Sequence, residues 1–352
     1  MSSFQPVRIA IVGCGMIARF HARALAEVPG AKLRALVSRN LDNARKLSES
    51  EKLTCDVYID LKSVLERNDI HVVIIATPSG AHLEPAVAAA EAGKHVVVEK
   101  PLEITLERCD RIIAACDRAG VQLCTIFPSR FADANIALKE AVDAGKFGRL
   151  TLAETTCKWW RAQSYYDEGG WKGTRALDGG GALMNQGIHN VDLLLWMMGK
   201  PTHISGFTAM LAHERIEVED TAVGCLRFDN GALGVIQATT SVYPGLPKTI
   251  AVHGDRGTVV IEQEDVLRWD FTPETEADRA TRARFTQKTG ASGGASNPAA
   301  ISHVYHARQL ADFVRALEER RPPLVDGREG RKAVEVILAI YRSAASGRTI
   351  QI

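Results

Sequence analysis

"VRIAIVGCGMIARFHARAL", residues 7 to 25, decides the fold class. A β-branched apolar run passes through Gly13-Cys14-Gly15 straight into a stretch with helical spacing of its apolar residues. Gly13, Gly15 and Ala18 stand at GxGxxA spacing. The first glycine allows a tight turn, the second lets the backbone approach a pyrophosphate, and a small third residue lets helix pack on strand. A helix opening at Met16 and Ile17 aims its backbone amides and positive end at the phosphates. The stretch reads as a dinucleotide-binding strand, turn and helix.

Outward from it, "KLRALVS", "DVYID", "HVVIIAT", "HVVVEK" and "VQLCTIF" are further strand candidates with helical stretches between them. Continuous apolar strands alternating with helices predict a parallel, doubly wound sheet, an α/β domain over residues 1–127. After Phe127 the rhythm changes. A helix over roughly 130–145 leads into alternating segments near 150–160, 203–212, 220–240, 248–262 and 265–271, with turns such as "DNGA" and "GDRG". These predict a second, α+β domain over 128–352 with a largely antiparallel sheet. Residues 272–300, rich in Thr, Ala, Gly and Ser and without apolar periodicity, read as a mobile surface loop. Helical patterns near 301–320 and 328–346 close the chain.

A chain of 352 residues exceeds the size of most single cores, and 46% apolar residues suffice for two. Lysine plus arginine total 43 against 42 acidic residues, which gives no electrostatic reason to expect nucleic acid or an acidic membrane as partner. Seven cysteines without a CxxC pair suit reduced thiols in the cytoplasm and no metal site. No apolar run reaches the roughly 18 residues that span a bilayer. Small molecules are the expected partners.

The second strand ends on Ser38 and Arg39, where an NAD-selective site carries an acidic residue for the adenosine ribose. A hydroxyl and a guanidinium suit a 2′-phosphate, so NADP is favoured over NAD. Ligands of open parallel sheets lie beyond the carboxyl ends of the strands. That rule singles out Thr77, Pro78 and His82 after the fourth strand, and Glu99 and Lys100 after the fifth. Lys100 precedes a proline and is thereby held extended at the strand tip, where an ammonium can stabilise a developing alkoxide. In "GGGALMNQGIHNVDLL" (179–194), Asn185 and His189 stack on one helical face, which is either core or the wall of a site. Upstream, Trp159, Trp160, Tyr165, Tyr166 and Trp171 are interleaved with Lys158, Arg161, Lys172 and Arg175. Aromatic faces pack on sugars, and the cations hold carboxylate or phosphate.

Three stretches, "GCGMIARFHARAL", "ATPSGAHLEPAVAAAEAGKHVVVEKPL" and "GGGALMNQGIHNVDLLLW", resemble in order and spacing the marks of the Gfo/Idh/MocA oxidoreductases. The segment around Trp159, Arg161, Tyr165 and Tyr166 is similar to the branch containing UDP-N-acetylglucosamine-uronate 3-dehydrogenases. The resemblance implies a Rossmann domain, a second domain with a large, open, mostly antiparallel sheet, and a substrate cleft between them. It places the catalytic lysine on Lys100 and the catalytic histidine, as acid/base, on His189. Many members carry aspartate where this chain has Asn185, which leaves Asn185 to orient a hydroxyl and Asp192 to orient the imidazole. The implied cofactor contacts are Gly13, Gly15, Met16, Ile17, Ser38, Arg39, Thr77, Pro78, His82, Glu99 and Lys100. The implied substrate contacts are Asn185, Asp192, Trp159, Arg161, Tyr165, Tyr166, Trp171 and Arg175. The expected activity is hydride transfer between NADP or NAD and a secondary alcohol or ketone of a cyclic sugar, sugar acid or nucleotide sugar, in a homodimer or homotetramer. An inositol-type dehydrogenase, a keto-sugar reductase and a non-catalytic dinucleotide sensor are the alternatives.

Overall fold

In the computed structural model, which describes residues 6–168, 170–285, 295 and 302–352, the chain divides into two units. The first comprises Met1–Pro128 and Ser302–Arg331, the second Ser129–Ile301 and Lys332–Ile352.

In the first unit β1 (Val7–Val12), α1 (Met16–Ala26), β2 (Ala31–Val37), α2 (Leu41–Ser50), β3 (Asp56–Tyr58) and α3 (Leu61–Leu65) alternate. They are followed by β4 (Val72–Ile75), α4 (Leu83–Glu91), β5 (His95–Val98), α5 (Leu106–Ala119) and β6 (Leu123–Thr125). The strands form one parallel sheet in the order β3-β2-β1-β4-β5-β6. Every residue of β4 is buried, as a strand covered on both faces requires, so it reads as an unbroken apolar run. The order reverses between β1 and β4, and at such a switch point the loops part and leave a crevice.

The second unit holds α6 (Asp133–Asp143), β7 (Leu150–Lys158), α7 (Ser164–Asp167) and α8 (Ile188–Met198), the last entered through a wide π-type turn at Ala182–Gly187. Next come β8 (Pro201–Ala209), β9 (Thr221–Phe228), β10 (Leu233–Thr239), β11 (Thr249–Gly254), β12 (Gly257–Glu262), β13 (Asp265–Phe271) and α9 (Glu276–Phe285). Then α10 (Val304–Glu319) lies in the first unit, while α11 (Gly327–Ser346) ends in the second and is followed by β14 (Ile350–Gln351). The eight strands order as β13-β12-β11-β7-β10-β9-β8-β14, antiparallel throughout except for β7 beside β10. One face is buried. There Gly206 and Gly224 let α11 lie close, since a Cβ on either would come 2.8 Å from the Ile340 side chain. The opposite face leaves Phe207, Val223, Leu233 and Leu152 exposed.

Two expectations are corrected. The segment 302–331 belongs with the first unit, whereas the second domain was expected to run unbroken over 128–352. Leu310, Phe313 and Val314 of α10 pack into the same core as Ile9, Ile11 and Leu25. Such burial contributes about 1.5–3 kcal/mol per large apolar side chain. Gln309 adds a polar tie, donating to the Thr125 carbonyl at 2.8 Å and accepting from the Phe127 amide at 3.0 Å. Helical periodicity gives the apolar face of a helix but not the core it covers.

The loop expected over 272–300 contains α9, and residues 286–294 and 296–300 lie outside the described residues. "EADRATRARF" has no apolar stripe. Its one buried residue is Asp278, which pairs with Lys146, accepts from Trp269 Nε1 at 3.3 Å and from the Thr275 amide at 3.0 Å. A helix anchored by a charge is silent to a hydrophobic-pattern reading. Among the described residues no helix is long and apolar enough to cross a membrane.

Candidate functional site

At the switch point of the first sheet, the Gly13 amide donates to the Val37 carbonyl at 2.9 Å, bringing the glycine loop against the tip of β2. Gly13 has φ +94°, and a Cβ there would lie 2.5 Å from the Ala76 carbonyl oxygen and 2.9 Å from the Thr77 amide. This glycine is therefore required by the approach of two loops of the protein itself. Gly15 differs: a Cβ there meets nothing within 4 Å. It caps α1 without any side-chain hydrogen bond, no acidic residue occupies the first turn, and Met16 is exposed. Unfilled backbone donors at a positive helix end facing open space fit a dinucleotide pyrophosphate. Ser38 and Arg39 follow β2 beside this loop; Ser38 Oγ accepts from the Asn40 amide at 3.3 Å, and Arg39 is exposed. Thr77 and Pro78 are half-buried, with Thr77 Oγ1 donating to the Ala81 carbonyl at 2.9 Å.

Two residues expected to touch the cofactor are buried and pin the turn that carries Lys100. Glu99 is 4% exposed; it accepts from His21 Nε2 at 2.7 Å and from the Lys100 amide at 3.1 Å, with His306 Nε2 at 3.9 Å. Burial pushes its carboxyl up, but the His21 hydrogen bond and neighbouring positive charge outweigh this and hold it below its ordinary value. His82 is also buried, its Nδ1 2.9 Å from the Pro101 carbonyl and its Nε2 3.0 Å from that of Thr77. Both flanks of Lys100 are thus gripped from inside the unit, and the lysine itself is half-buried at the tip.

The cluster predicts an acid-sensitive spot. Burial lowers the His306 pKa to about 4, opposed by the Glu99 carboxylate and reinforced by the positive charges of His21, His303 and Lys100. A histidine held below its unfolded value of about 6.5 contributes stability that is present above that pH and lost as pH falls toward 4. The thermal midpoint is expected to drop between pH 7 and pH 5, and His306→Gln to flatten that limb. An identical slope in the variant contradicts the assignment.

In the second unit, every residue from Gly180 to Leu195 is buried except Asn185 and His189. The polar pair therefore marks the open face of an otherwise buried segment. The glycines ahead of it serve the turn: Gly179 has φ +78°, and a Cβ on Gly181 would lie 1.7 Å from the Glu219 carbonyl oxygen. Glu219 caps the π-type turn, accepting from the amides of Gly181 at 2.8 Å and Leu183 at 2.9 Å and from Tyr341 OH at 2.8 Å. Burial raises its pKa.

Around the open face, Asn185 Nδ2 donates to Asp178 Oδ1 at 2.7 Å and Gln186 Nε2 to Tyr165 OH at 3.3 Å. Lys172 Nζ lies 3.8 Å and the Arg161 guanidinium carbon 5.5 Å from the centre of the Tyr165 ring. Burial pushes the Tyr165 phenol up to about 12 and draws the Lys172 and Arg161 pKa values down. The arrangement thus brings together Arg161, Tyr165 and Asn185 of the expected residues, with Lys172. Asp178 and Gln186 were missed. Six residues, three of them glycines, lie between Asp178 and Asn185, and no regular period signals their contact.

Three other expected substrate contacts, Asp192, Tyr166 and Trp159, are buried. Asp192 is 1% exposed and accepts from Arg130 Nε at 2.9 Å and Nη2 at 2.7 Å, a buried fork that ties α8 to the start of the unit. Breaking such a pair costs about 3–5 kcal/mol because a lone charge stays buried. Tyr166 is 6% exposed, and its hydroxyl is 2.9 Å from Thr240 Oγ1. Trp159 is 7% exposed and packs with Cys157 and Ala295. Arg175 is exposed, its Nε donating to the Glu217 carbonyl at 3.0 Å, and Trp171 is half-buried. An aromatic-rich run serves a core as readily as a sugar platform, and sequence does not separate the two.

Comparison with known proteins accords with both units. Residues 7–127 match the model of the oxidoreductase family with an NAD-binding Rossmann fold, and residues 136–260 that of the GFO/IDH/MocA C-terminal domain. Myo-inositol 2-dehydrogenase of Thermotoga maritima is 28% identical, with 98% of each chain covered. A scyllo-inositol 2-dehydrogenase (NAD(+)) of Bacillus subtilis is 31% identical over 98% of this chain and 96% of its own. Among solved structures, the WlbA dehydrogenase of Bordetella pertussis in complex with NADH and UDP-GlcNAcA has a TM-score of 0.89 at 33% identity, covering 100% of this chain and 99% of that one.

Proposed function

Because the chain belongs to the GFO/IDH/MocA family of NAD(P)-dependent oxidoreductases, we propose that its substrate is a cyclic sugar bearing a carboxylate, a uronate in free or nucleotide-linked form. The observation that carries this reading is a pair of cations about Tyr165: half-buried Lys172, and behind it Arg161, which is 4% exposed and donates to the Trp160 and Ala295 carbonyls. Two positive side chains there favour a substrate that brings its own negative charge. The likeness to a dehydrogenase solved with UDP-GlcNAcA supports the same class.

The nicotinamide, when bound, supplies the hydride acceptor. Gly15 and the first amides of α1 hold the pyrophosphate. The His189 imidazole takes the hydroxyl proton as general base. Lys100, held at the tip of β5, is the ammonium proposed to stabilise developing alkoxide character. Asn185 orients the hydroxyl. A panel of uronates, UDP-GlcNAcA, neutral pyranoses and inositols, followed by nicotinamide absorbance, is expected to give the highest kcat/KM with a carboxylate-bearing member. Highest activity on an inositol favours the second reading, a polyol dehydrogenase like the 31%-identical relative.

NADP is the proposed preference, from Ser38 and Arg39 at the tip of β2. Ser38→Asp places a carboxylate where the 2′-phosphate lies and is expected to reverse the order of affinities. Titration of both cofactors into both proteins decides it. A wild type that prefers NAD tenfold, about 1.4 kcal/mol, contradicts the preference.

A further inference from the structure

An asparagine amide has two nearly isosteric ends, and which end faces a ligand decides whether it donates or accepts. At Asn185 the neighbour settles the choice. Asp178 is 1% exposed, and its Oδ1 lies 2.7 Å from Asn185 Nδ2. An ionised carboxylate only accepts, so the amide nitrogen must point to it. Asp178 Oδ2 is engaged by the Gly173 amide at 2.8 Å, which fixes the carboxylate in turn.

We propose that Asp178 is a positioning residue of the site: it holds the Asn185 amide by its nitrogen, so that Asn185 Oδ1 is the atom presented to the substrate hydroxyl. The inference rests on the proposed function in taking the Asn185–His189 face as the substrate wall. Asn185 then accepts a hydrogen bond as a carboxylate at that position would, while the negative charge sits one hydrogen bond behind it. The same charge reaches Lys172, where it opposes the loss of the proton on burial, and Tyr165, Tyr166 and Tyr341, where it favours the neutral phenol. The geometry also accounts for the amide itself. An aspartate at 185 would set two carboxylates within hydrogen-bond range, and such a pair retains a proton.

The test compares Asp178→Asn, Asn185→Asp and the exchanged double variant Asp178→Asn/Asn185→Asp with the wild type. On the best substrate of the panel, each single change is expected to lower kcat about ten- to a hundredfold, the loss of one charge-assisted hydrogen bond. Cofactor affinity stays unchanged. The double variant, again one amide and one carboxylate, is expected to regain most of that loss. If Asp178 merely tied down the turn at Gly173, exchange would restore nothing, and that outcome overturns the proposal. Thermal unfolding gives a second readout that needs no substrate. A carboxyl whose pKa is raised by folding stabilises only while protonated, so the Asn185→Asp midpoint should fall relative to wild type between about pH 5 and pH 8. The double variant should run parallel to wild type. An Asn185→Asp curve that already parallels wild type also overturns the proposal. A panel on which the wild type shows no turnover counts against the substrate reading alone, and the thermal comparison then decides this one.

Discussion

His189→Ala is expected to lower turnover about 10²- to 10⁴-fold, the usual cost of removing a positioned general base. Cofactor affinity should stay nearly constant, because His189 belongs to α8 of the second unit and the glycine loop to the first. The variant should also fold. His189 is one of two partly exposed residues in a buried segment, and truncation there removes little packing. Lys100→Met should cost a similar factor by removing the donor to the developing alkoxide while keeping the stem. Its backbone is held through Glu99, His21 and His82, none of which the substitution touches. Steady-state kinetics with separate cofactor titrations read both variants. Wild-type turnover in His189→Ala would make the exposed pair an accident of the surface.

The second large effect is expected at Gly15. A valine there meets no protein atom within 4 Å at its Cβ, and the backbone, at φ −83° and ψ −166°, is one that any residue adopts. Gly15→Val should therefore unfold at nearly the wild-type temperature yet bind NADP and NAD at least a hundredfold more weakly, since its side chain fills the space before the α1 amides. Gly13→Val is the wrong probe. Its side chain would strike the Ala76 carbonyl, and lost binding would report damage to the loop. Undiminished affinity in a folded Gly15→Val protein would remove the pyrophosphate from the end of α1.

The first unit was legible because each of its signals is local. Six apolar runs gave six strands, and the glycine spacing marked the first turn. The antiparallel character of the second sheet followed from alternation, since one face is buried and the other is not. What sequence hid was tertiary choice. The α10 pattern showed an apolar face but not that its Phe313 enters the first core. Glu99 and His82 sit at strand tips, where cofactor contacts belong, and only their inward hydrogen bonds reveal them as the clamps of the Lys100 turn. Asp192 lies one turn beyond His189 on the same helix, but its carboxylate is held by Arg130, a partner 62 residues away. Asp178 was invisible for the converse reason: a charged residue before three glycines looks like an exposed turn, and the fold buries it against Asn185.

The most direct measurement follows the hydride itself. A uronate carrying deuterium on its ring carbons is incubated with enzyme and oxidised cofactor, and the reduced nicotinamide is weighed by mass spectrometry. The expected result is deuterium on the nicotinamide with wild type and at least a hundredfold slower transfer with His189→Ala. Reduced cofactor without deuterium, or label transferred at an undiminished rate by His189→Ala, would contradict oxidation of a sugar alcohol at this face.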